Sequence, residues 1–410
     1  MKFNNILAVD LMPEGASGMS ILTAPRLTML VFFFQPIAFG SWLPRIPDVQ
    51  QALGLGPAGL ALALLGLPAG TLLTLPFAGP LVGRIGARTA IVAGLALYAL
   101  AVSLPAFAPN PLLLFFALML CGSSISFTEL GMNIEADKVE KASGRLLMNT
   151  AHGCWSLGIM TGSIAGSLLA WAGLVPHWAM LLMAALTLLI GPALASRLPD
   201  YGRDRDESNT RGQRVWSPPS WALLGICLFV FGVTMTEGAM ADWSAVFLRD
   251  VLAAGSGQAG LGYAVFALAV AGGRLGGDWL KAQFGAVSVA RGSVVLALAG
   301  LVLLTTAPGL PVALLGFAIV GLGASVGFPL AVTAAADLNS GPSSNNVATL
   351  SFIALLGFLV GPPLIGLLAE HIDLRVGLAA LIPILLASLV LAGRLRVVPP
   401  APAALAQGEA

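Results

Sequence analysis

Nine stretches of at least 18 residues contain no Asp, Glu, Lys or Arg, and they set the strongest limit on how the chain can fold. A helix needs about 20 mostly apolar residues to cross the roughly 30 Å hydrocarbon core of a bilayer. The stretches 89–128, 146–196 and 292–336 are long enough for two such helices, and each has a Pro or Gly break near its middle. The sequence therefore predicts an all-α membrane protein with twelve transmembrane helices. The nine stretches are 27–44, 49–83, 89–128, 146–196, 215–236, 251–273, 292–336, 338–369 and 376–393.

The composition excludes several classes of protein. Only 10% of the residues are charged, against about 25% in a typical soluble domain, and 57% are hydrophobic. These values argue against a soluble enzyme and a disordered scaffold. The formal net charge of +1 offers no footprint for a nucleic acid, so we expect no nucleic-acid partner.

Residues that carry catalytic or metal chemistry are sparse. The chain has three His and three Cys, and neither set has the spacing of a metal site or of a Ser-His-Asp arrangement. None of its four lysines lies in a phosphate-binding loop. We therefore expect no enzyme activity, no metal and no cofactor.

The basic residues predict the orientation of the chain. With the N-terminus inside, seventeen of the 20 Lys and Arg residues fall in inside segments, and only Arg45, Arg249 and Arg375 fall outside. We expect a multi-pass membrane protein with both termini cytoplasmic. The predicted segments are a cytoplasmic lead-in (1–25), an N-terminal six-helix bundle (26–197), a cytoplasmic linker (198–219), a C-terminal six-helix bundle (220–396) and a cytoplasmic tail (397–410).

The two predicted bundles repeat each other. The segment 122–127 (GSSISF) corresponds to 323–328 (GASVGF), an offset of 201 residues. Ala58-Gly59-Leu60 and two glycines of helix five have counterparts at nearly the same offset. Such a repeat favours two pseudo-symmetric six-helix bundles around a midplane site.

The loop between helices two and three carries a family resemblance. Residues 79–88 (GPLVGRIGAR) resemble the signature loop G-x-x-x-D-R-x-G-R-R of the major facilitator superfamily, although Gly83 replaces the Asp and Ala87 one Arg. The matching loop of the second half keeps an acid, Asp278. The resemblance implies the major facilitator fold, in which one twelve-helix chain works as a monomer.

A finer resemblance is to the fucose-permease-like branch of that superfamily and its bacterial inner-membrane relatives. It is carried by 41–47 (SWLPRIP), Glu129-x-x-x-Asn133, 237–244 (EGAMADWS) and 361–371 (GPPLIGLLAEH). It implies proton-coupled uptake of sugars and related polar solutes across a bacterial inner (plasma) membrane.

Glu129 is the first candidate for proton coupling. An ionised acid near a helix centre costs about 2.5–3.5 kcal/mol, so such a residue is a functional hypothesis by default. Asn133 lies one turn away on the same helix face. Glu129 resembles the acid of the fucose-permease group in the same helix; the alternative is a structural acid paired with a neighbouring helix.

Helix five and helix one supply further candidates for substrate binding. His152 and Trp155 stand where the fucose-permease group has a Gln and an Asn that contact sugar. A Trp ring can stack on the C–H face of a sugar or on a cation. Asn149 and Gln35 are placed to line the same cavity. For each of these residues a structural packing role is the alternative.

Helix seven contributes two acids. We predict that Glu237, in the outer half of the helix, binds substrate or a proton. Asp242 is predicted to close the outer gate by pairing with Arg45 or Arg249. The neighbouring Trp243 is predicted to be an aromatic anchor at the membrane interface.

The inner gate follows from the signature loops. Asp278 is expected at the inner end of helix eight, where it would grip the positive end of helix five and Arg145, oriented by Arg274. Arg84 and Arg88 belong to the first-half loop, which lacks its Asp and should form a weaker gate.

These features favour a proton-coupled importer of a small polar solute by alternating access. An exporter of drugs or metabolites on the same fold is the main alternative, and an intramembrane enzyme or sensor is a third. The expected partners are the solute, protons and the lipid bilayer. The run Gly158-x-x-x-Gly162-x-x-x-Gly166 predicts close helix packing.

Overall fold

A computed structural model describes residues 23–144, 147–201, 219–338 and 343–396. This part of the chain contains twelve helices long and apolar enough to span a membrane, and no strand. The predicted all-α fold with twelve transmembrane helices is thus confirmed. Most of the predicted lead-in, linker and tail lies outside the described residues. The helices are α1 (Ala24–Ala52), α2 (Pro57–Ile85), α3 (Ala87–Phe107), α4 (Pro111–Ser143), α5 (Met148–Trp171), α6 (Pro176–Ala195), α7 (Trp221–Asp250), α8 (Ser256–Phe284), α9 (Ala286–Thr305), α10 (Leu310–Ala336), α11 (Ser343–His371) and α12 (Leu374–Leu395).

Helix packing repeats between the two halves of the chain. In the first half, α1 packs on α5, α2 on α4, and α3 on both α4 and α6. In the second half, α7 packs on α11, α8 on α10, and α9 on both α10 and α12. Each pairing of the first half therefore recurs six helices later, as the internal sequence repeat predicts.

Helix boundaries follow local chemistry. The predicted break before α4 is a start signal: Pro111 opens the helix, and the Asn110 side chain accepts a hydrogen bond from Leu113 N at 2.9 Å. Gly86 separates α2 from α3, and Gly285 separates α8 from α9, with φ of 88° and 77°. Such positive φ values favour glycine, so each half makes this tight turn with the same residue type.

The glycine run on α5 makes a very close contact with α1. A Cβ atom added at Gly158 or Gly162 would clash with the carbonyl oxygen of Phe33 or Ile37 on α1. The predicted close packing is confirmed, because only glycine lets the two backbones approach this far.

Helix α1 is interrupted at Pro36, and this break positions the site. Proline cannot continue the hydrogen-bond ladder of a helix. The backbone N–H of Phe39 donates instead to the Tyr98 hydroxyl on α3, at 2.7 Å. Gln35 lies directly before the break, with its side chain 1% exposed.

The two halves meet mainly near one end of the molecule. Following the predicted orientation, we call the end near Ala52 outer and the end near Ala24 inner. Among the described residues, the principal contacts of α7 with the first half are with the outer part of α1, Leu43–Ala52. Helix α8 packs along α5, where Ser163 Oγ donates to the Gly260 carbonyl at 3.0 Å. The halves are thus closed against each other at the outer end and diverge toward the inner end.

Candidate functional site

A cluster of three polar side chains lies in the first half at the level of the Pro36 break. The indole Nε1–H of Trp155 on α5 donates to Gln35 Oε1 on α1 at 3.0 Å. The Trp155 side chain also interacts with the carboxyl group of Glu129 on α4. Three helices thus bring together three residues that the sequence nominated separately. No Lys, Arg or His forms a salt bridge with Glu129 within the described residues.

The other first-half candidates lie around this cluster. Asn133 is half-buried one turn along α4, and its Oδ1 atom has no hydrogen-bond donor within the described part of the chain. The His152 ring is exposed and meets the Phe32 ring edge-on, with centroids 5.4 Å apart. The side chain of Asn149 lies outside the described residues, so its predicted role stays a prediction.

Arg274 joins the second half to the first. Its Nη2 atom lies 3.5 Å from Glu237 Oε1, and its Nε–H donates to the Ser325 carbonyl at 3.3 Å. Its Nη1–H donates across the interface to Ser156 Oγ on α5 at 3.1 Å. The sequence analysis placed Arg274 beside Asp278 as an orienting residue; the contacts recorded for its guanidinium are instead with Glu237, Ser156 and Ser325.

Sequence reasoning missed Ser156, Ser325 and Tyr263. Tyr263 on α8 lies near Glu237, Asp242 and Arg274 and interacts electrostatically with all three. Signals were present for two of these residues. Ser325 belongs to the repeated segment 323–328, and the chain has only three tyrosines in all.

The predicted outer pair of Asp242 with Arg45 or Arg249 is wrong. Arg45 is buried, binds Asp48 at 3.1 Å, and donates to the Leu174 carbonyl at 2.7 Å. Arg249 pairs with its neighbour Asp250 at 2.6 Å and also donates a hydrogen bond to Gln50 in the first half. Both guanidinium groups therefore pair with residues other than Asp242.

The outer end is closed by other contacts. Arg249 Nη2–H donates to Gln50 Oε1 at 3.1 Å, which links α7 to α1. Asp242 is half-buried beside Tyr263 and has no hydrogen bond or salt bridge within the described ranges. Trp243, predicted to anchor at the membrane interface, is 0% exposed in the core, because its ring packs beneath Gly366 of α11.

The inner-gate candidates are only partly brought together. Asp278 is exposed on α8, and its expected partner Arg145 lies outside the described residues. At the start of α5, Leu147 N and Met148 N donate to Glu140 Oε2, at 2.7 and 3.0 Å. An acid of the first half, rather than Asp278, therefore receives these two hydrogen bonds.

The first-half signature loop makes a different contact. Arg84 is exposed at the end of α2, and Arg88 is partly exposed at the start of α3. Arg88 acts electrostatically on Glu135, a buried acid of α4. Arg84 and Arg88 thus stay candidates for gating, with no contact to the second half among the interactions recorded for them.

The arrangement offers a polar centre between two helical halves. Glu129, Trp155 and Gln35 line one side, and Glu237, Arg274, Asp242 and Tyr263 line the other. Several of these groups keep partial exposure in the middle of apolar helices.

Comparison with known proteins agrees with this architecture. The family model described as Major Facilitator Superfamily matches residues 28–345. An uncharacterised MFS-type transporter of Yersinia pestis is 34% identical over 363 residues, which is 88% of this chain and 92% of that protein. An uncharacterised transporter of Sinorhizobium fredii, y4wD, is 33% identical and covers 89% of this chain and 98% of its own length.

Solved structures share the fold. A mutant of the nucleoside transporter NupG superposes with a TM-score of 0.74 at 13% identity, covering 91% of this chain and 99% of its own. A bacterial homologue of the human lysosomal transporter Spinster, in an inward-facing and occupied conformation, has a TM-score of 0.71 at 15% identity and covers 92% and 98% of the two chains. The chain belongs to the major facilitator superfamily, and it is a membrane transporter rather than an enzyme.

Proposed function

We propose that this transporter couples proton movement to the uptake of a small polar solute of the sugar, amino sugar or polyol type. The observation that carries the proposal is the shared indole of Trp155, which binds Gln35 and interacts with Glu129. Alternating access between the two halves would expose this cluster to each side of the membrane in turn.

The environment of Glu129 supports its role as the proton site. A carboxylate held among apolar helices without a cationic partner is costly, and binding a proton relieves that cost. Glu237 differs, because Arg274 lies 3.5 Å from it and neutralises its charge. We therefore assign proton loading to Glu129 and charge-paired substrate binding to Glu237.

The remaining side chains support the solute class. A polyhydroxylated solute needs donors and acceptors, which Gln35, Asn133, His152 and Tyr263 supply, and an apolar ring face, which Trp155 supplies. The three acids of the two clusters outnumber the single guanidinium of Arg274. This balance disfavours organic acids and phosphorylated sugars.

The test is proton movement in a suspension of sealed proteoliposomes that contain the full-length protein, with a membrane-impermeant pH dye in the external solution. Sugars, inositols and amino sugars are added singly, with glucose 6-phosphate as the expected non-substrate. Glu129→Gln is the test variant. Glu135→Gln is the matched control, because Glu135 is another buried acid of α4 but lies near Arg88 and Lys138 rather than near Trp155.

External alkalinisation on adding one solute, lost in Glu129→Gln and kept in Glu135→Gln, is the expected result. A proton signal that only lipophilic cations produce would contradict uptake and favour an exporter. Solute flux without proton movement in any variant would contradict proton coupling.

A further inference from the structure

Glu370, at the outer end of α11, reaches across the interface to the start of α2 in the other half. Its Oε2 atom accepts a hydrogen bond from the backbone N–H of Ala58 at 3.1 Å. Ala58 is the second residue of α2, and Pro57 before it has no N–H. The carboxylate therefore takes the first free donor of the helix, at its positive end.

Gly56 makes room for this contact. Its backbone is extended, with φ −67° and ψ 170°, and it provides no side-chain cap for α2. A Cβ atom added there would meet both carboxylate oxygens of Glu370. The first turn of α2 thus receives its acceptor from the opposite half of the molecule.

The surrounding contact is tight. A Cβ atom at Gly366, one turn before Glu370, would lie 2.7 Å from the Pro57 carbonyl oxygen and would also meet the Ala61 side chain. Helix α11 therefore packs directly on the backbone of α2 at the outer end. Because these contacts join two different halves, they exist only while the outer end is closed.

We propose that Glu370 is a positioning residue for transport: its carboxylate latches the start of α2 and so favours the conformation that is closed to the outside. Opening the outer end must separate the carboxylate from Ala58 N. A bond present in only one of two conformations shifts the equilibrium toward that conformation by its own free energy. This role is independent of the identity of the solute and of proton coupling.

The experiment measures how readily the outer interface opens. Ser167 is 3% exposed and faces Gly260 across the outer interface, so a cysteine at this position reports opening. Ser167→Cys is made in a full-length chain whose Cys121, Cys154 and Cys227 are replaced by Ala, and intact cells are labelled with a membrane-impermeant maleimide.

Two variants remove the latch and one retains part of it. Glu370→Ala deletes the acceptor, and Gly56→Ala displaces it. Glu370→Gln keeps a neutral acceptor oxygen. We expect labelling about fivefold faster in the first two, since a helix cap of this kind is worth about that factor, and an intermediate rate in the third.

Two controls separate latching from ordinary helix stability. Asp373→Ala removes the cap of α12, where Asp373 Oδ1 accepts from Val376 N at 2.8 Å within the second half. Gly59→Ala adds a methyl group to α2 that would meet only the Leu55 side chain, at 3.3 Å. Both controls should label at the parental rate.

Faster labelling in Glu370→Ala and Gly56→Ala, with unchanged controls and partial rescue by Gln, supports the latch. Parental labelling in both variants, or equal acceleration in Asp373→Ala, would overturn it.

Discussion

The outer and inner ends of this transporter use the same chemical contact in opposite ways. At the outer end, Glu370 accepts the N–H of Ala58 from the other half. At the inner end, Glu140 accepts the N–H groups of Leu147 and Met148 from its own half. When the carboxylate and the helix start belong to the same half, their contact stabilises the fold in every conformation. When they belong to different halves, the contact stabilises only the conformation in which those halves meet.

The remaining polar contacts follow the same division. Arg249 and Gln50 cross between halves at the outer end, whereas Lys141 and Asp137 form a pair 2.6 Å apart on one turn of α4 at the inner end. Between the ends, Arg274 and Ser156 form the innermost polar bridge recorded between the halves. The comparison therefore places the boundary between the closed and open parts near Arg274.

The largest expected effect on transport comes from the polar cluster between the two ends. Glu129→Gln should abolish proton-driven accumulation, because the amide cannot load and release a proton, while counterflow exchange of solute continues. Accumulation and counterflow are measured with labelled solute in the same vesicles. Full accumulation by Glu129→Gln would remove the proton role from this residue.

Removing Arg274 tests the innermost polar contact between the two halves, its hydrogen bond to Ser156. Arg274→Gln leaves Glu237 without its cationic partner and weakens the link to Ser156, so transport should fall at least about tenfold. The double variant Arg274→Gln with Glu237→Gln should recover part of the loss, since no unpaired charge remains. Equal activity of the single variant and the parent would show that the pair is dispensable.

Breaking the inner cap should affect stability rather than access. Glu140→Ala removes the acceptor for two backbone donors and should lower the free energy of unfolding by about 1–2 kcal/mol. Labelling of Ser167→Cys from outside should stay at the parental rate, in contrast to Glu370→Ala. A thermal melt in detergent and the labelling assay measure the two effects; accelerated labelling would contradict the division between the ends.

The smallest expected effect is at Asp278. Asp278→Asn should favour the inward-open state, but the inner end is already open in this structure, so little further change is available. Accessibility of a cysteine at exposed Thr150, on the inner end of α5, measures the shift from the inside. A decrease in that accessibility would assign Asp278 a role opposite to the predicted one.

Much of the site could be predicted from the sequence because its polar residues stand out within apolar membrane spans. Glu129, Gln35 and Trp155 were nominated separately, as polar or amphipathic groups inside predicted spans, and the structure brings them together. Their mutual contacts could not be predicted. They depend on how α1, α4 and α5 are rotated and on the break at Pro36.

The pairing errors have the same cause. Asp242 was matched to Arg45 and Arg249 by loop placement alone, yet these arginines bind Leu174 O and Gln50, whose positions depend on helix crossing. Glu370 was noted only as part of a family-like segment, although it makes a contact between the two halves.

The sequence by itself determined the number of helices, the repeat of the two halves and the polar residues that must find partners. These properties follow from hydropathy and helix-breaking residues within windows of about 20 residues. Only the tertiary structure decided which polar groups meet and which end is closed. Such contacts join residues distant in the chain, from Ser156–Arg274 to Ala58–Glu370, and depend on helix rotation and crossing, which no local pattern encodes.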